Sequence, residues 1–114
     1  MFYFKAPGRL MQRSLAAGWG GITRYLEVGD DQFAVRQVDF FENGNVLRYD
    51  RQHTWDDYGM LIGVRFSRKP KWAKFFPGAE MISEDDFERA WRSALQSDSW
   101  QVQVGTRRIR LRNA

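Results

Sequence analysis

The 114 residues predict one α+β domain: a mainly antiparallel sheet of hairpins packed on one main amphipathic helix, with a short helix near the amino terminus. Three observations predict it. Residues 33–41 and 46–51 flank Asn43-Gly44, the pair preferred in a two-residue type I′ turn because both positions need positive φ. Trp100, Val102 and Val104 alternate with polar residues before Gly105-Thr106, and Ile109 and Leu111 do so after it, a second hairpin signal. Between the two, Phe87, Ala90, Trp91, Ala94 and Leu95 recur at helical spacing.

In chain order, residues 9–18 read as a short helix ending in the flexible Gly18-Trp19-Gly20-Gly21, and residues 22–28 as a strand before the turn Gly29-Asp30-Asp31. A two-residue loop at Asn43-Gly44 would set Phe41 opposite Val46, Phe40 opposite Leu47, Asp39 opposite Arg48 and Val38 opposite Tyr49. One face then carries Val38, Phe40, Leu47 and Tyr49, and the other a solvent-facing Asp39/Arg48 pair. Upstream, Phe33 and Val35 fall on the wrong parity, which a bulge near Arg36-Gln37 or cover on both faces would explain. Met60, Ile62, Val64 and Phe66 alternate as a further strand, and residues 67–79 are irregular around Pro70 and Pro77-Gly78. The main helix is expected over residues 83–96, with Ser83 as its cap and Glu84, Asp85 and Asp86 where the dipole favours anions. In the closing hairpin, Val102 faces Ile109 and Trp100 faces Leu111, while Gln103 faces Arg108 and Gln101 faces Arg110 on an exposed strip.

Composition narrows the function. With no Cys there is no disulfide framework, thiolate nucleophile or thiolate metal site, and a single His excludes a multi-His zinc centre. No cofactor or metal is implied. No apolar run approaches the roughly 18 residues of a membrane span, so a cytoplasmic protein without a membrane partner is expected. The +4 net charge is uneven. Bases crowd residues 65–74 and 107–112, while acids gather in 27–42 and 80–88, a pattern that serves partner choice.

Three stretches carry candidate chemistry. In His53-Thr-Trp-Asp-Asp-Tyr58, an acid–base reading competes with Asp side chains that cap backbone amides and a Trp55 that covers a core edge. Residues 68–77 interleave bases with aromatics, including Lys71, Trp72 and Phe75, as single-strand nucleic-acid binders and protein hot spots both do. The Arg108 and Arg110 strip serves either use, or simply defends a sheet edge. There is no phosphate-binding Gly loop, no Ser elbow and no His-x-x-x-His helix.

The stretch Phe33-Ala-Val-Arg-Gln-Val-Asp-Phe-Phe-Glu-Asn-Gly-Asn-Val, with Tyr49-Asp50 and then Ile82-Ser-Glu-Asp-Asp-Phe-Glu-Arg-Ala-Trp91, resembles a family of small bacterial proteins grouped as a domain of unknown function. The resemblance covers residues 22 to 95 and implies a fold more than an activity. In outline the chain is also similar to immunity proteins of bacterial toxin systems, including contact-dependent growth inhibition, which bind a toxin domain and block it without catalysis. This implies a non-catalytic module whose partner is a cognate toxin. The expected partner-binding residues are Trp55, Asp56, Asp57, Lys71, Trp72, Phe75, Glu84, Asp85, Arg108 and Arg110. The alternative is a small nucleic-acid-binding domain using the basic-aromatic loop and the Arg hairpin.

Overall fold

The computed structural model describes residues 1–10, 14–66, 76–95, 99–104 and 107–112, the last two stretches as backbone. The strands are β1 (Phe2–Gly8), β2 (Ile22–Val28), β3 (Ala34–Phe41), β4 (Val46–Asp50), β5 (Trp55–Asp56), β6 (Glu80–Met81), β7 (Ser99–Val104) and β8 (Arg107–Arg112), and the helix is α1 (Glu84–Ser93). A five-stranded antiparallel sheet runs β4-β3-β2-β1-β6, and a three-stranded one runs β5-β7-β8. The architecture is α+β, as expected. The short helix near the amino terminus is not formed by the described residues: Ser14 to Trp19 turn back on themselves, and 11–13 lie outside the description. The apolar start is instead a strand, in which Phe2, Phe4 and Ala6 alternate with Tyr3, Lys5 and Pro7.

The first hairpin departs from the expected register by one residue. Gly44 has φ +93 and Asn43 does not have positive φ, so the loop is not type I′. Phe41 N–H donates to Asn45 C=O (2.9 Å) and Gly44 N–H to Phe41 C=O (2.9 Å), closing a three-residue loop with glycine at the left-handed position. The pairs become Phe40–Val46, Asp39–Leu47, Val38–Arg48 and Gln37–Tyr49. A one-residue slip sends every side chain of one strand to the other face. Asp39 therefore leaves the predicted solvent face, and Leu47 and Tyr49 part from Val38 and Phe40.

A bulge in β3 accounts for the parity slip upstream. Glu27 pairs with Arg36 and Val28 with Ala34, leaving Val35 as the extra residue. The sheet is also covered on both sides. Under α1 lie Val38, Tyr3, Tyr25, Phe40 and Val46, packed on Phe87, Ala90, Ala94 and Trp91. The opposite face has two clusters, one around Phe4, Leu26, Val28 and Phe66 and one around Ile22, Phe41, Leu47 and Tyr49. Fully buried rings such as Phe4, Phe66 and Phe87 each contribute on the order of 2–3 kcal/mol from burial.

The helix begins as its cap dictates: Ser83 Oγ accepts from Asp86 N–H at 3.1 Å. It ends at Ser93 rather than Gln96. Ala94 is extended, and Leu95 bridges Leu47 in parallel, its N–H on Val46 C=O and its C=O accepting from Arg48 N–H. Leu95 thus covers part of the β4 edge and leaves the apolar stripe. The closing hairpin has the expected register, Val102–Ile109, Trp100–Leu111, Gln103–Arg108 and Gln101–Arg110. Its turn residues, 105 and 106, lie outside the description.

Candidate functional site

Two ion pairs lie three positions apart on the β2–β3 ladder, which puts them on opposite faces. Arg24 sits opposite Asp39 on the face away from α1, and Glu27 sits opposite Arg36 beneath α1. Arg24 grips Asp39 with two bonds, Nε to Oδ1 at 2.7 Å and Nη2 to Oδ2 at 3.0 Å. Burial would lower the Arg24 pKa, but the Asp39 carboxylate overrides it and holds the guanidinium above its ordinary value. Asp39 is 1% exposed, and its oxygens also accept from Gln37 Nε2 at 3.2 and 3.3 Å.

Gln37 is the hinge between this pair and the segment above it. Its Nε2 donates to Met60 C=O (2.8 Å), and its Oε1 accepts from Ile62 N–H (2.8 Å). The side-chain amide thus stands where a neighbouring strand's peptide would. That explains why residues 61–66 form no strand despite their alternation: their backbone is held by a side chain, by Leu61 N–H to Thr54 C=O (2.7 Å) and by Phe66 N–H to Gln32 C=O (2.7 Å).

Asp56 anchors the other end. Its Oδ1 accepts from Tyr49 Oη (3.0 Å), Tyr58 N–H (2.8 Å) and Gly59 N–H (2.8 Å). Gly59 is required here, because a Cβ would lie 2.8 Å from Tyr49 Oη. Burial, and then the Asp56 charge, push the Tyr49 phenol far above its ordinary pKa. The turn after Ser14 docks on the same segment: Ser14 Oγ donates to Tyr58 C=O (2.7 Å), Leu15 N–H donates to Asp57 C=O (3.0 Å), and Trp19 stacks on Tyr58 at 4.8 Å.

Under α1 the second pair is built differently. Arg36 donates to Glu27 through Nε (2.7 Å) and Nη2 (2.8 Å), reaches Glu88 on the helix, and lies over the rings of Phe87 (4.9 Å) and Trp91 (5.0 Å). The Glu27 bond, then Glu88, hold Arg36 above its ordinary pKa, and Arg36 holds Glu88 below its own. Burial and a bond to Glu27 push the Tyr3 phenol up to about 12.

The candidate surface lies over the Gln37 scaffold. A cavity of about 220 Å³ opens between the start of β3, residues 54–55 and residues 60–63, walled by Phe33, Trp55, Met60, Leu61 and Ile62 with Arg51 at its rim. A second, of about 200 Å³, lies by Arg9, Arg24 and Tyr58, and a groove of about 370 Å³ runs between α1 and Tyr25 and Phe40.

The expected binding residues scatter. Trp55 walls the first cavity. Asp56, expected as a surface acid, is 2% exposed and spent on Tyr49 and two amides, because a carboxylate that collects three donors is drawn into the fold. Its neighbour Asp57 is half-buried beside it, with its carbonyl bonded to Leu15. Glu84 and Asp85 are exposed on the first turn of α1, and neither forms an ion pair among the described residues. Lys71, Trp72 and Phe75 lie outside the described residues, as do the side chains of Arg108 and Arg110. Next to them Phe76 is packed against Phe4 (5.9 Å) and Phe66 (5.5 Å).

Sequence reading missed Gln37, Asp39 and Arg24 as the scaffold. Their signal was there: two polar residues on alternate positions of one strand, with an Arg in the strand beside it. His53 closes a turn, its N–H on Asp50 Oδ1 at 2.9 Å. Among the described residues no group of three or more His, Asp or Glu is placed to hold a metal ion, and no helix is long and apolar enough to cross a membrane. No family model, curated protein or solved structure matches the chain.

Proposed function

We propose that this chain is a non-catalytic protein-binding module, most concretely an immunity protein that binds and neutralises a cognate bacterial toxin domain. One contrast carries the reading. The buried acids Asp39, Asp56 and Glu27 are spent on internal donors, whereas the uncommitted acids Glu84 and Asp85 and the large apolar side chains Phe33, Val64 and Met81 stand on the surface. Groups locked in structural bonds serve a scaffold, and exposed apolar and charged groups serve recognition. The resemblance to small bacterial proteins and, in outline, to immunity proteins points the same way.

The test is protection. The gene should lie beside one encoding a toxin domain, cells producing that domain should grow when the chain is co-produced, and the two purified proteins should elute as one stoichiometric complex. Reversing both Glu84 and Asp85 to Lys should weaken that complex about tenfold or more, about 1.4 kcal/mol. Growth arrest despite full production of the chain, with no complex, overturns the proposal.

A further inference from the structure

We infer that the cavity beside Trp55 is an anchor site, taking one aromatic or large aliphatic side chain that the protein partner presents on an acidic segment. The inference rests on the protein-binding reading and goes beyond it by naming the surface and the chemistry it fits.

The cavity is pre-formed. Two of its lining residues, Met60 and Ile62, are held by both ends of the Gln37 amide at 2.8 Å, and a third, Leu61, is tied by its N–H to Thr54 C=O at 2.7 Å. A site fixed this way costs little ordering on binding. About 220 Å³ accommodates a single large side chain, and the walls are mainly carbon. Two large apolar residues are left in water at this place: Phe33, a wall residue, is 43% exposed, and Val64, next after the wall residue Gly63, is 44% exposed. Anchors that fill such pockets dominate the energy of protein interfaces.

The rim sets the charge of the partner. Arg51 lines the cavity and bonds Asp31 Oδ1 at 3.0 Å and the Phe33 and Ala34 carbonyls. Arg65 bonds the neutral Gln32 Oε1 at 2.6 Å and forms no ion pair among the described residues. Asp31 answers Arg51, the lining cation, whereas Arg65, two residues past the wall residue Gly63 and bonded to the chain neighbour of the wall residue Phe33, has no acid partner among the described residues. An apolar side chain flanked by Asp or Glu complements both features. The acidic start of α1 presents the opposite sign, so the partner it fits carries both.

Gly63 supplies the discriminating variant. It lines this cavity and the neighbouring one by Arg24 and Tyr58, and nothing lies within 4 Å of where its Cβ would stand, so Gly63→Leu places a large side chain at the edge of the cavity with no clash at its Cβ. With the ¹⁵N-labelled full chain, an acetylated peptide Asp-Glu-Phe-Asp-Glu amide should shift the amides of Phe33, Thr54, Trp55 and Gly63 saturably near 1 mM, about 4 kcal/mol. Replacing its Phe by Ala, its acids by Lys, or Gly63 by Leu should each weaken those shifts about tenfold or more. Equal shifts from the acidic and the basic peptide, or from wild type and Gly63→Leu, overturn the anchor site. With the toxin domain, a complex formed equally by wild type and Gly63→Leu also overturns it, while absence of a complex for wild type itself strikes the protein-binding reading instead.

Discussion

The Arg24–Asp39 and Glu27–Arg36 pairs are rungs of one β2–β3 ladder, yet they face opposite sides of the sheet and meet opposite solutions to burial. Away from α1, the charges are embedded in amides: Gln37, the Met60 carbonyl and the Ile62 N–H complete a polar lattice under an irregular segment. Beneath α1, the guanidinium is roofed by the Phe87 and Trp91 rings and shared with Glu88. A helix has satisfied its own backbone and offers only side chains, so the pair beneath it needs π-faces and a carboxylate. A loop brings unsatisfied peptide groups, so the pair beneath it needs an amide that can answer them. The lattice under the loop is therefore what gives residues 52–66 their shape, and with it the cavity beside Trp55.

The sharpest way to break this contrast is to remove one group from each side. Asp39→Ala leaves Arg24 and one end of Gln37 buried without their acid and should cost about 3–5 kcal/mol. Phe87→Ala should cost a similar 3–5 kcal/mol by opening a cavity under α1. The mechanisms separate in the rescue. Arg24→Met with Asp39→Leu replaces a charge pair by carbon and should recover most of the loss, on the order of 2 kcal/mol or more, in urea titrations. If Asp39→Ala costs less than about 1 kcal/mol, the lattice does not hold the loop.

The two tyrosines sharpen it further. Both phenols have raised pKa values in the folded chain, Tyr49 through burial and Asp56, Tyr3 through burial and Glu27. A folded tyrosine that keeps its proton while the unfolded chain loses it contributes stability fully present below pH about 10 and lost as pH rises through the folded pKa. The loss from Tyr3 is complete near pH 12, and the Tyr49 phenol, held above its ordinary value by burial and Asp56, adds a loss of its own. Tyr49→Phe should cost about 1–2 kcal/mol at pH 7 and flatten the alkaline fall by about 1.4 kcal/mol per pH unit. Tyr3→Phe should flatten it only between pH about 10 and 12. Identical alkaline limbs for Tyr49→Phe and wild type would place the phenol in water.

Smallest is the cap. Ser83→Ala should destabilise α1 by about 1 kcal/mol and move the circular-dichroism melt accordingly, while the peptide shifts at Thr54 and Gly63 stay unchanged. A loss at those shifts would mean that the helix face and the loop face are coupled through the sheet.

Particular residues show why part of this was legible. The Ser83 cap, the Phe87–Trp91 stripe and the Gln101–Arg110 register follow from local spacing, and they stand as read. The Asn43-Gly44 loop misled because Asn-Gly serves both two- and three-residue loops, and only the φ of Asn43 separates them. That single residue moved Asp39 from expected solvent to 1% exposure and separated Leu47 and Tyr49 from Val38 and Phe40. Residues 60–66 alternated like a strand, yet had Gln37 for a neighbour instead of a ladder. Of the candidate site, Trp55 was legible as an aromatic covering a core edge, though it begins the short strand β5 rather than lying in a loop, and the exposed Glu84 and Asp85 were legible as a helix start. Asp56 was legible only in its alternative, backbone-capping role.

What the sequence determined by itself is local: which stretches alternate, where the helix is capped, which compositions exclude thiolate and multi-His chemistry. These depend on neighbours two to four residues apart, where spacing and chemistry coincide. The tertiary structure decided which face each polar residue takes, because both faces of the sheet are covered and polarity no longer marks the solvent side. It bonded Arg24 and Gln37 to Asp39 and Tyr49 to Asp56, and set Phe33 beside Trp55 and Gly63. Such pairings depend on register, and register turned on one loop residue.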